Sequence, residues 1–66
     1  MQITFNGEPR ELPEGLTIEG FLRELQLPLR GVAVEVNLEV VPRQRHGDTV
    51  LRDGDRIEIV TLVGGG

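Results

Sequence analysis

The chain has 66 residues and no cysteine, so it forms one domain at most, without a disulfide or thiolate metal site to staple a core expected to supply only ~3–5 kcal/mol. Eleven acids against seven bases give a net charge of -4, which argues against nucleic acid as a partner, because phosphate binding needs clustered positive charge. No apolar run approaches the roughly 20 residues of a membrane span, and "MQITFNG" lacks the basic-then-apolar layout of a signal peptide, so a cytoplasmic protein, complete from Met1 and without membrane contact, is expected.

In chain order, "QITF" alternates with Ile3 and Phe5 on one face, and Asn6-Gly7 is a strong hairpin signal, since both residues tolerate the positive φ of a type I′ turn. Pro9 lacks a donor, which places the second strand, around Arg10 to Leu12, at a sheet edge. Thr17 is a good N-cap, and Ile18, Phe21, Leu22 and Leu25 then follow the i, i+3, i+4, i+7 spacing of an amphipathic helix that Pro28 stops. "VAVEVN" sets Val32, Val34 and Val36 on one face of a strand, and "EVVPR" follows, with Pro42 again pointing to an edge. Asp53-Gly54-Asp55 is a turn that releases the longest strand, Arg56 to Val63.

Strand, strand, helix, strand, strand, strand, with the helix crossing over one face, is an α+β arrangement. The apolar last strand lies centrally, parallel to the first, because parallel pairing requires the crossover that the helix provides. This is the β-grasp, or ubiquitin-like, fold: a mixed sheet of four to five strands packed on one main helix, over residues 1–63. The expected core is Ile3, Phe5, Ile18, Phe21, Leu22, Leu25, Val34, Ile57 and Ile59. With Ile57 and Ile59 facing the helix, Val60 and Leu62 point away from it. Together with Val63 they form the expected partner-binding patch.

The chain lacks Ser, Cys, Lys, Tyr and Trp, and His46 is its one imidazole. Side-chain nucleophilic catalysis is thereby left with four threonines, so an enzyme is not expected and no catalytic residue is assigned. Carriers that work through a serine-linked phosphopantetheine or a lysine-linked biotin or lipoyl group are excluded by the same omissions. His46 has no cysteine or second histidine beside it, so it reads as a surface or loop-packing residue, with no metal expected. There remains the tail, Gly64, Gly65 and Gly66, expected to hang loose because glycine loses most freedom on ordering. A terminal carboxylate is the natural handle for a carried group.

The segments "FNGE", "GVAVEVNLEVVPR" and "LRDGDRIEIVTLVGGG" resemble the ThiS family of sulfur carriers in thiamine biosynthesis, and the likeness covers nearly the whole chain. Its most specific parts are the "DGD" turn, the strand after it and the terminal glycine pair. Leu38, at a turn position better suited to a small or polar residue, and Gly64, which makes the tail a triplet, depart from the pattern. The resemblance implies that Gly66 is adenylated by a ubiquitin-activating-like (ThiF-like) adenylyltransferase and becomes a thiocarboxylate. Sulfur then comes from a donor such as a cysteine desulfurase and passes to a ThiG-like thiazole synthase. It also implies that no cofactor is bound by this chain and that ATP is used by the activating partner. Two alternatives stay open: a MoaD-like small subunit of molybdopterin synthase, a family that tends to have prolines where this chain has Thr61-Leu62-Val63, and a β-grasp interaction module whose glycines are inert.

Overall fold

Residues 1–62 are described by the computed structural model. Strands β1 (Gln2–Phe5) and β2 (Glu8–Glu11) form a hairpin, helix α1 (Ile18–Glu24) crosses over, β3 (Val32–Val36) and β4 (Glu39–Val41) form a second hairpin, and β5 (Arg56–Thr61) comes last. They make one sheet in the order β2-β1-β5-β3-β4, so the strand latest in sequence lies at the centre. It runs parallel to β1 and antiparallel to β3. This is the β-grasp arrangement that the order of elements predicted.

Each hairpin turns through two successive residues of positive φ, Asn6 and Gly7 (48° and 86°) and Asn37 and Leu38 (54° and 72°). That geometry matches the right-handed twist of the strands. Leu38 takes it at a steric cost that glycine would not pay. β2 begins at Glu8 rather than at Arg10, and Pro9 pairs with Thr4 on its outer strand. An edge position leaves the missing proline donor without consequence.

Thr17 caps α1 as expected, its hydroxyl accepting from the Gly20 N–H at 3.1 Å. The helix stops before Pro28 is reached. Gln26 enters the left-handed region at φ 59°, the Leu27 N–H returns to the Leu22 carbonyl, and the Gln26 N–H returns to that of Arg23. Those two bonds are a Schellman cap built on glutamine where glycine is usual.

The core lies between α1 and the sheet: Ile3, Ile18, Phe21, Leu22, Val32, Val34, Ile57 and Ile59 are buried, and so are Leu12 and Leu51 from the irregular segments. Phe5 and Leu25, expected inside, are only half-buried. Phe5 ends β1 at the rim, where its ring meets that of Phe21 edge-on at 5.2 Å. The Arg10 guanidinium covers both rings, 5.7 and 5.8 Å from their centroids. Leu25 is the helix C-cap and sits at the margin of the same layer.

Candidate functional site

What α1 covers on one face of the sheet it leaves bare on the other. Along β5, Ile57 and Ile59 point into the core, and the alternation of side chains turns Glu58 and Val60 outward. Val60 is 58% and Leu62 59% exposed, as the alternation along the strand predicts. In register, Val60 stands opposite Ala33 of β3, and the Leu62 N–H donates to the Gly31 carbonyl. Val40, on β4 and separated from β5 by β3, is exposed as well.

This face also holds a pair that sequence reading missed. Glu35 of β3 is directly opposite Glu58 of β5, and Val40 of β4 is opposite Glu35. Like charges directly across a sheet are destabilising. Among the described residues neither glutamate forms an ion pair; the two ion pairs present join Glu14 to the N-terminal amine and Glu19 to Arg23. The pairing can be found only from the register of β3 against β5, which no local pattern encodes.

Two side-chain networks hold β5 in place. Asn6 accepts from the Ile59 N–H at 2.9 Å through Oδ1, and its Nδ2 donates to the Ile59 carbonyl at 3.3 Å. Its side chain thus continues the β1–β5 ladder past the hairpin turn. At the other end, Asp55 accepts from the Arg52 N–H and from Asn37 Nδ2, while Asn37 Oδ1 accepts from the Arg56 N–H. Asp53 accepts from the Gln2 N–H at 2.7 Å. The two aspartates of "DGD" act as turn and strand anchors.

His46 is buried, 3% exposed, and packs against the β4 end, where its Nε2 donates to the Val41 carbonyl at 2.8 Å. The carbonyl can only accept, so Nε2 carries a proton, and Nδ1 has no hydrogen-bond partner among the described residues. A cavity of about 280 Å³ beside it is lined by Glu19, Leu22, Leu29, Arg43, Gln44 and His46. No group of three or more histidine, cysteine or acidic side chains suited to a metal occurs among the described residues. No helix among them is long and apolar enough to cross a membrane. Val63, Gly64, Gly65 and Gly66, assigned from the sequence to the patch and the tail, lie outside the described residues.

The sequence and the fold match the same group of proteins. The ThiS family model matches residues 3–66. The chain belongs to the ThiS family. It is 45% identical over 64 residues to the sulfur carrier protein ThiS of Thermus thermophilus, a match spanning 97% of this chain and 98% of that one. The crystal structure of the thiamine biosynthesis protein ThiS from Geobacter metallireducens superposes with a TM-score of 0.86 at 35% identity, covering 100% of both chains. A thiazole synthase of Paramagnetospirillum magneticum is 44% identical over 66 residues, all of this chain but 20% of that protein. The chain therefore spans about a fifth of the thiazole synthases it matches.

Proposed function

We propose that this chain is the sulfur carrier of thiamine biosynthesis and that Gly66 bears the sulfur as a C-terminal thiocarboxylate. The observation that carries this reading is the ThiS family match running through residue 66, the last glycine. Two further features support it: Val60 of β5 and Leu62 just after it are bare at the end of the strand that leads to the tail, and the chain has no serine, cysteine or lysine for the usual carrier attachments.

A carboxylate is a poor electrophile. In the proposed sequence a Gly66 oxygen attacks the α-phosphorus of ATP on the activating enzyme, expelling pyrophosphate and leaving an acyl-adenylate. A sulfur nucleophile derived from a cysteine desulfurase then attacks the acyl carbon, and AMP departs. With a persulfide as that nucleophile the product is an acyl disulfide, and a thiol reductant then cleaves its S–S bond, releasing the donor as a thiol and leaving sulfur in place of one carboxylate oxygen. Thiazole synthase takes that sulfur into the thiazole ring.

The chain's own contribution is shape and docking. Glycines at 64, 65 and 66 carry no side chains, so they fit a narrow channel, and three extended residues reach about 10 Å. Ordering them costs roughly 1–2 kcal/mol per residue. The exposed face around Val60 and Leu62 supplies the contact that offsets this cost. A mass measurement tests the reading: with the activating enzyme, ATP and a sulfur donor, the intact mass should rise by the difference between one sulfur and one oxygen atom. The rise should vanish when ATP is omitted. An unchanged mass with an enzyme known to be competent overturns the reading and leaves an interaction module.

A further inference from the structure

We propose that the open face of the sheet docks on thiazole synthase around one arginine of that enzyme, whose guanidinium lies between Glu35 and Glu58 while apolar side chains seat on Val40, Val60 and Leu62. The inference rests on the carrier reading and deepens it, because it names the residues that select the partner.

Three observations carry it. Glu35 and Glu58 are cross-strand neighbours, half-buried, and without an ion pair among the described residues. The pair is flanked by exposed apolar side chains: Val40 in the same row, and Val60 one pleat along β5. A cation arriving there would relieve the repulsion of two carboxylates while the apolar rim excludes water from it. A planar guanidinium meets two carboxylates with parallel donors, which the point charge of lysine does not. The third observation concerns the partner: thiazole synthases 44% and 46% identical to this chain over 66 residues carry the matching segment as 20% of their own length. In those proteins a segment like this chain is part of the thiazole synthase polypeptide itself.

The experiment measures binding of the full chain to the separate thiazole synthase of the same organism by calorimetry, at low and at moderate salt. Changing both glutamates, Glu35→Gln with Glu58→Gln, should weaken binding by about tenfold or more and flatten its salt dependence. The melting temperature should be unchanged or higher, since a like-charge pair is removed. Val60→Asp, on the apolar rim, should also weaken binding while the fold persists. Affinity within about twofold of the parent, with the same salt slope, overturns the arginine contact. A parent chain that does not bind thiazole synthase overturns the choice of partner. Sulfur loading of the unaltered chain, read separately by mass, reports on the carrier chemistry alone, so the two readings fail independently.

Discussion

Asn6 and Ile59, separated by 53 positions in sequence, share two hydrogen bonds, from the Ile59 N–H to Oδ1 and from Nδ2 to the Ile59 carbonyl. The backbone register of β1 with β5 covers only Thr4–Arg56 and Phe5–Ile57, so this side chain lengthens a short parallel pairing by one rung. Asn6→Ala leaves both Ile59 groups without that partner and should cost about 1–3 kcal/mol. Asn6→Asp keeps the acceptor and loses the donor, so its loss should be smaller. Urea titrations of the three proteins check the order. Equal midpoints for Asn6→Ala and the parent would show that the bonds contribute nothing.

Phe21 is wholly buried against the sheet and meets the Phe5 ring edge-on. Phe21→Ala should cost roughly 3–5 kcal/mol, comparable with the whole stability expected of a domain this small. The variant should be largely unfolded at 25 °C by circular dichroism. A cooperative melt close to the parent's contradicts the packing of α1.

Leu62 is exposed at the end of the described chain. Leu62→Asp should leave the melting temperature nearly unchanged and weaken binding to the activating enzyme or to thiazole synthase. Calorimetry on folded protein separates the two effects. Loss of folding would mean that Leu62 is needed in the core.

Gln26 and Leu38 hold positive φ without being glycine. An L-residue in the left-handed region costs roughly 1–2 kcal/mol, which glycine avoids, though its freer unfolded state takes part of that back. Gln26→Gly and Leu38→Gly should therefore each stabilise by up to about 1 kcal/mol. The effects should add, because the sites lie in separate elements. Thermal melts of the single and double variants give the answer.

Removing Gly65 and Gly66 should abolish the mass gain on sulfur loading while leaving the melt as it was, because terminal residues of this kind contribute little to folding. A shifted melt would instead give these glycines a structural role.

The local signals in the chain carried most of the fold. Thr17 and the Ile18-Phe21-Leu22 stripe mark the helix, Asn6-Gly7 marks the first hairpin, and the apolar alternation of "RIEIVT" marks the central strand, each because a period or a turn residue encodes it within a few positions. Leu12 and Leu51 escaped because they enter the core from segments without a period. The end of α1 escaped because Gln26 takes a conformation its identity does not advertise. In the candidate site, the exposure of Val60 and Leu62 followed from alternation alone. The facing of Glu35 and Glu58, and the reach of Asn6 to Ile59, depend on register between distant strands, which no single stretch of sequence contains.

The placement of β5 at the centre of the sheet bears on how the molecule is made. Until that strand emerges from the ribosome, the β1–β2 and β3–β4 hairpins have no common neighbour, and the core residues Ile57 and Ile59 are missing. Closing the sheet then waits for pairings between the two ends of the chain, the kind of non-local contact that slows folding relative to helical domains. The same strand bears the outward Glu58 and Val60. A nascent chain cut short before β5 thus lacks the sheet's centre and the outward Glu58 and Val60 together, and truncated synthesis does not yield a folded molecule that presents this face.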